Sequence, residues 1–202
     1  MNHMVIIILT ALFCGLTFLS CSVKVSEPVV EQIFDSRLNQ FKQKIGYDEA
    51  IKNEKRDGLI DIDFRKLKGP EFATKWPADK GWNFRKDNYR GEHYYYSWGV
   101  DGIGSDAVVT ARICVNYEVA RDWFIVMAEN TTMKEIPWAA CSKNVGTVCA
   151  GSRNRKRLFF VYKNVAVEIN RDDALPGHED FGEILAEWLF DALKAAPLKP
   201  FP

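Results

Sequence analysis

Apolar and polar positions alternate most regularly near the end of the chain. Val165, Val167 and Ile169 alternate with Ala166, Glu168 and Asn170, which is the period of a half-buried strand. Just upstream, Leu158 to Tyr162 is apolar at successive positions, so both of its faces need cover and it belongs inside a sheet. Lys163 and Asn164 join the two as a hairpin. From Phe181 to Ala196 the period becomes helical, with Phe181, Ile184, Leu185, Trp188, Leu189, Ala192 and Leu193 on one stripe. Each large side chain in that stripe contributes about 1.5 to 3 kcal/mol gross when buried, so the helix must lie across the hairpin.

Working back from this end, Ser26-Glu27-Pro28 has the chemistry of a helix start. Val30, Ile33, Phe34, Leu38, Phe41 and Ile45 then share a face, and Gly46 can end the helix. Tyr47 to Arg56 suits a second short helix before the Asp57-Gly58 turn, and Leu59 to Phe64 alternates as a strand. Gly69 to Gly91 is irregular and aromatic. His93 to Trp98, Ala107 to Tyr117 and Trp123 to Ala128 read as further strands, whereas Ile136 to Arg155 reads as a loop. The expectation is an α+β fold: one mainly antiparallel sheet of about five or six strands, with N-terminal and C-terminal amphipathic helices packed on one face.

With 202 residues, 47% of them hydrophobic and 27% charged, the chain has material for one sizeable core. Lys plus Arg and Asp plus Glu are both 27, so no net field recruits nucleic acid, and none is expected as a partner. The N-terminus carries a different signal. Met4 to Leu19 is an apolar run, and no charged side chain occurs before Lys24. That is the hydropathy of an export leader. Phe18-Leu19-Ser20-Cys21 follows, and it resembles the bacterial lipobox, with Ser20 before the cleavage point and Cys21 as the lipidated residue. The match departs from the pattern at Phe18, where Leu is preferred, and in lacking Lys or Arg before the apolar run. Ordinary secretion and an uncleaved anchor are the other two fates such a leader allows. The resemblance implies residues 1–20 as signal peptide, 21–25 as a short tether and 26–202 as one globular domain. It also implies attachment to the cell envelope, on the periplasmic or extracellular side of a membrane, through acyl chains on Cys21.

An exported chain can keep disulfides, and Cys141 and Cys149 are close enough to bridge within one loop. Cys114 lies in an apolar strand, where inert packing is expected. His178-Glu179-Asp180 contains possible metal ligands, but consecutive residues rarely converge on one ion, and Asp180 with Glu183 suits a helix cap better. No metal and no cofactor is expected. Asp61 and Asp63 share a strand face, as a wet edge would require. Glu92, His93, Asp101 and Asp106 surround the Gly-rich connection at Gly99, Gly102 and Gly104, where a hydrolase acting on glycan or peptide would place its acids. Against an enzyme stands the lack of any nucleophile elbow, phosphate loop or zinc-helix motif.

Aromatic residues give the clearest candidate surface. Trp76, Trp82, Tyr94, Tyr96 and Trp98 are interleaved with Lys75, Lys80, Arg85 and Arg90. Such a mixture can stack on a sugar ring or take a peptide, or its rings can simply close the core. The functional expectation is a lipid-anchored binding or interaction module that meets a glycan or protein partner through this segment.

Overall fold

The computed structural model describes residues 27–66, 82–90, 93–100, 106–132, 138–141, 144–152, 157–171 and 178–201, some of them, including 82–90 and 98–100, as backbone alone. The chain divides into a unit of residues 1–36 and a unit of residues 37–202. In the first, the described residues are helical and open helix α1 (Glu27–Lys44). The leader, Cys21 and most of the aromatic segment between Gly69 and Gly91 lie outside the described residues.

The second unit is α+β. Helix α2 (Tyr47–Lys52) and a short strand β1 (Leu59–Ile60) lead to β2 (Trp82–Arg90), β3 (His93–Val100) and β4 (Asp106–Ile113). Helix α3 (Tyr117–Thr132), strands β5 (Trp138–Ala140), β6 (Val148–Ser152), β7 (Arg157–Tyr162) and β8 (Val165–Arg171), helix α4 (His178–Ala195) and β9 (Leu198–Lys199) complete it. Among the described residues, seven strands form a sheet in the order β2-β3-β4-β8-β7-β6-β5. Every pairing in it is antiparallel. β1 and β9 form a separate antiparallel pair. No helix among the described residues is long and apolar enough to cross a membrane.

The hairpin of β7 and β8 is where the hydrophobic pattern places it, with Leu158 opposite Ile169 and Phe160 opposite Val167. The side chains of β7 divide between two cores. Leu158 and Phe160 join Val165, Val167 and Ile169 beneath Leu185, Trp188, Leu189 and Leu193 of α4. Phe159 and Val161 join Val148, Ala150, Ala120 and Phe124 on the opposite side, where Ile45 and Tyr47 also pack. The α+β class and the mainly antiparallel sheet are as expected, with α4 over one face and α3 over the other. A strand that is apolar on both sides leaves two faces to be dried, and each takes its own helical layer.

Trp123 to Ala128 is helical, not a strand. Its run of six apolar residues carries no period, but Tyr117, Ala120, Phe124 and Ala128 are all buried at helical spacing. The helix begins where Asn116 Oδ1 accepts the Val119 amide at 2.8 Å, an N-cap. Leu59 to Phe64 is strand only at its first two residues, because the chain turns into a 3₁₀ turn at Phe64–Lys66. The expected loop from Ile136 to Arg155 contains β5 and β6, and α4 starts at His178, so Asp180 stands within its first turn and not at its cap.

Cys141 and Cys149 are bridged, with Cα atoms 5.5 Å apart, which fastens the end of β5 to β6. Cys114 is buried and unbridged. Between the disulfide and β6, Gly146 adopts φ 72, and a Cβ there would stand 2.6 Å from the Val161 carbonyl oxygen, so this close approach requires glycine.

Candidate functional site

Among the described residues, two groups of polar side chains interrupt the packing of the sheet. One surrounds the turn between β7 and β8, where Lys163 has φ 52, the one positive φ at a described residue other than glycine. Left-handed backbone costs a β-carbon residue about 1 to 2 kcal/mol, so the turn must be held from outside. The Lys163 ammonium is buried, donates to Asp57, and lies 3.3 Å from both the Tyr117 hydroxyl and the Lys55 carbonyl. Burial pulls the Lys163 pKa down, but the bonds to Asp57 and Tyr117 outweigh it and leave the value raised. The bond from Lys163 holds the Asp57 carboxyl below its ordinary range. The contribution of Asp57 is thus present above the ordinary carboxylate range and lost as pH falls through its lowered value; that of Lys163 is lost only in strong alkali.

Next to it, Glu54 accepts from Arg121, from the Thr147 hydroxyl and, at 3.2 Å, from the Lys163 amide. Asn164 is fully buried; its Oδ1 accepts the Ile60 amide at 2.6 Å, and its Nδ2 donates to the Cys114 carbonyl at 3.0 Å. Most of these groups bond to one another and to the backbone, while the buried Arg121 Nε has no hydrogen-bond partner. The cluster joins the chain segments that carry Glu54, Tyr117, Arg121 and Lys163 at one end of the sheet.

The second group lines a cleft of about 260 Å³ between the sheet and α3. Its floor is made by Thr110 and Arg112 of β4 with Ala166 and Glu168 of β8. His93 and Tyr95 of β3 and Trp123 and Met127 of α3 form the walls. Strand alternation puts these floor residues on the α3 side, because their neighbours Val109, Ala111, Val167 and Ile169 fill the core under α4. Small side chains at Thr110 and Ala166, set among large ones, leave the space.

Inside the cleft, the His93 ring meets Trp123 edge-on at 5.6 Å and lies nearly parallel to Tyr95 at 6.3 Å. The Arg112 guanidinium sits 4.1 Å above the Trp123 ring, a cation–π contact that fixes both. Glu168 is the single carboxylate among the described lining residues, with Arg157 at 3.9 Å. Burial raises the Glu168 pKa, and Arg157 only partly opposes it. The folded chain therefore holds this proton more tightly than the unfolded one, and stability through this group falls as pH rises past the ordinary carboxylate range. A carboxyl whose charge is disfavoured by burial inside a cleft is a candidate for a binding or reactive position.

The residues singled out in the sequence are distributed differently. Tyr94 turns to the other face of β3, where it is half-buried 5.1 Å from Phe64. Trp82 lies in β2, and Tyr96 and Trp98 lie in β3, with side chains outside the described atoms; Trp76 lies outside altogether. Of the groups around the Gly-rich connection, His93 reaches the cleft, Asp106 opens β4, and Glu92 and Asp101 lie outside the described residues. Tyr95, Thr110, Arg112, Trp123 and Glu168 are brought together only by the fold. A hint was present in Thr110, Arg112 and Glu168, polar residues that alternate with the apolar positions of their strands.

No protein-family model matches the chain, and no curated protein and no solved structure matches it either.

Proposed function

We propose that this protein is an exported, lipid-anchored module of the cell envelope that binds a small ligand in the cleft between the sheet and α3. The observation that carries this reading is the cleft itself, in which Tyr95, Arg112, Trp123 and a desolvated Glu168 converge around open volume. Apolar walls with a few convergent polar groups are the usual composition of a small-molecule site. Binding is favoured over glycan hydrolysis because hydrolysis of a glycoside ordinarily needs a pair of carboxylates, and the described lining supplies one. The membrane address rests on the leader and Cys21. The Cys141–Cys149 bridge supports it, since such bonds persist in oxidising compartments outside the cytosol.

Ligand-observed NMR on the full chain with a library of small polar solutes tests the cleft. Hits are expected whose saturation transfer disappears in Tyr95→Ala, with circular dichroism showing that the variant is folded. Hits that persist unchanged in Tyr95→Ala would place binding elsewhere. For the anchor, membrane-extracted protein is expected to have an intact mass matching a chain that begins at acylated Cys21; an unmodified first residue removes that part of the reading.

A further inference from the structure

The strand register places three oxygen-bearing side chains in one row across the cleft. Tyr95 of β3 pairs with Thr110 of β4, and Thr110 pairs with Glu168 of β8. Neighbouring strands are about 4.8 Å apart, so phenol, hydroxyl and carboxyl follow one another over roughly 10 Å. Further along β7 the row continues to Phe159, fully buried under α3. On that side the polar part of the row ends at Glu168, and all three of its groups line the cleft.

The charges already inside limit what can enter. A cation approaching Glu168 meets Arg157 at 3.9 Å and the Arg112 guanidinium, which is held on Trp123. An anion meets Glu168 itself. Desolvation has already disfavoured the charge of that carboxyl, so a partner offering hydroxyl donors improves its surroundings without adding charge. The aromatic walls of His93, Tyr95 and Trp123 suit the C–H faces of a ring.

Building on the binding reading above, we propose that the ligand is a neutral, hydroxyl-rich ring, a monosaccharide unit, seated on the row Tyr95, Thr110 and Glu168 beneath Trp123. Thr110 and Tyr95 each exchange one neutral hydrogen bond with ring hydroxyls, and the Glu168 carboxyl accepts from one or two more. The same chemistry is presented by a free sugar and by the terminal unit of a glycan.

Isothermal titration calorimetry of the full chain tests this with glucose, N-acetylglucosamine and a tetrasaccharide of N-acetylglucosamine, against zwitterionic alanine and cationic choline as charge-bearing small probes. At least one of the sugars is expected to bind and the charged probes are not. Equal affinity for a monosaccharide and the tetrasaccharide marks a free sugar as the ligand; tighter binding of the tetrasaccharide marks a glycan end. Thr110→Val and Tyr95→Phe, which keep shape and lose only a hydroxyl, are each expected to weaken binding by about 2- to 10-fold. Glu168→Gln is expected to weaken it by about tenfold or more, because bonds to a charged acceptor are the stronger ones. Binding of alanine or choline but no sugar, abolished by Tyr95→Ala, would keep the cleft and overturn the sugar. Sugar binding unchanged in all three row variants would overturn the assignment of the row. Silence from every probe in both calorimetry and the library screen would remove the cleft reading as well.

Discussion

Replacing Glu54 with Ala is expected to cost about 3 to 5 kcal/mol of folding stability, most of what a domain of ordinary stability possesses. The Glu54 and Arg121 side chains are only 4% and 9% exposed, so the change leaves a guanidinium buried with its principal carboxylate gone. Two further donors, the Thr147 hydroxyl and the Lys163 amide, lose their acceptor at the same time. Urea unfolding should show the midpoint falling at an unchanged slope, the mark of lost stability and not of an altered unfolded state. The paired change Glu54→Met with Arg121→Met should recover much of the loss, since a buried ion pair contributes little over apolar residues of similar volume. A single Glu54→Ala variant within 1 kcal/mol of the parent would show that water reaches this site and that the pair is not a buried one.

Asn164→Ala is expected to cost about 3 kcal/mol or more. The side chain serves three backbone groups: the Ile60 amide, the Ile60 carbonyl at 3.3 Å and the Cys114 carbonyl at 3.0 Å. Each buried group left without its partner costs about 1 to 3 kcal/mol. Asn164→Asp should be at least as damaging, because it keeps the acceptor for the Ile60 amide but turns a charged oxygen toward two carbonyls. Amide hydrogen exchange adds a local reading. The Ile60 amide should lose protection first, as the β1–β9 pair detaches from the sheet. Protection at Ile60 equal to the parent in Asn164→Ala would rule out this role for the side chain.

Both predictions concern residues whose importance the linear pattern hides. Glu54 stands in a polar stretch after α2, and Asn164 reads simply as a turn residue. The same limit explains the misplaced helix. Trp123 to Ala128 is rich in residues that favour strands, and a short apolar run has no period to tell a half-buried helix from a strand. Its helical identity is set by the Asn116 cap and by Phe159 and Val161, which require a second apolar layer. The cleft was equally hidden. His93 stands out in the sequence for its place beside the Gly-rich connection, but Tyr95, Thr110 and Glu168 gain meaning only when β3, β4 and β8 are set side by side.

What the sequence determined by itself is local: the β7–β8 hairpin, the apolar stripe of α4 with Trp188 and Leu189 turned inward, the α+β class and the pairing of two cysteines eight positions apart. These follow from periodicity and short reach, which neighbours along the chain suffice to specify. The tertiary structure alone decided which helix dries which face of the sheet, how Glu54 comes to meet Arg121, and that a phenol, a hydroxyl and a carboxyl stand in one row. The polar cluster depends on contacts between residues 46 to 109 positions apart, and the row depends on strand register, where a one-residue slip would turn a strand's side chains to the opposite face.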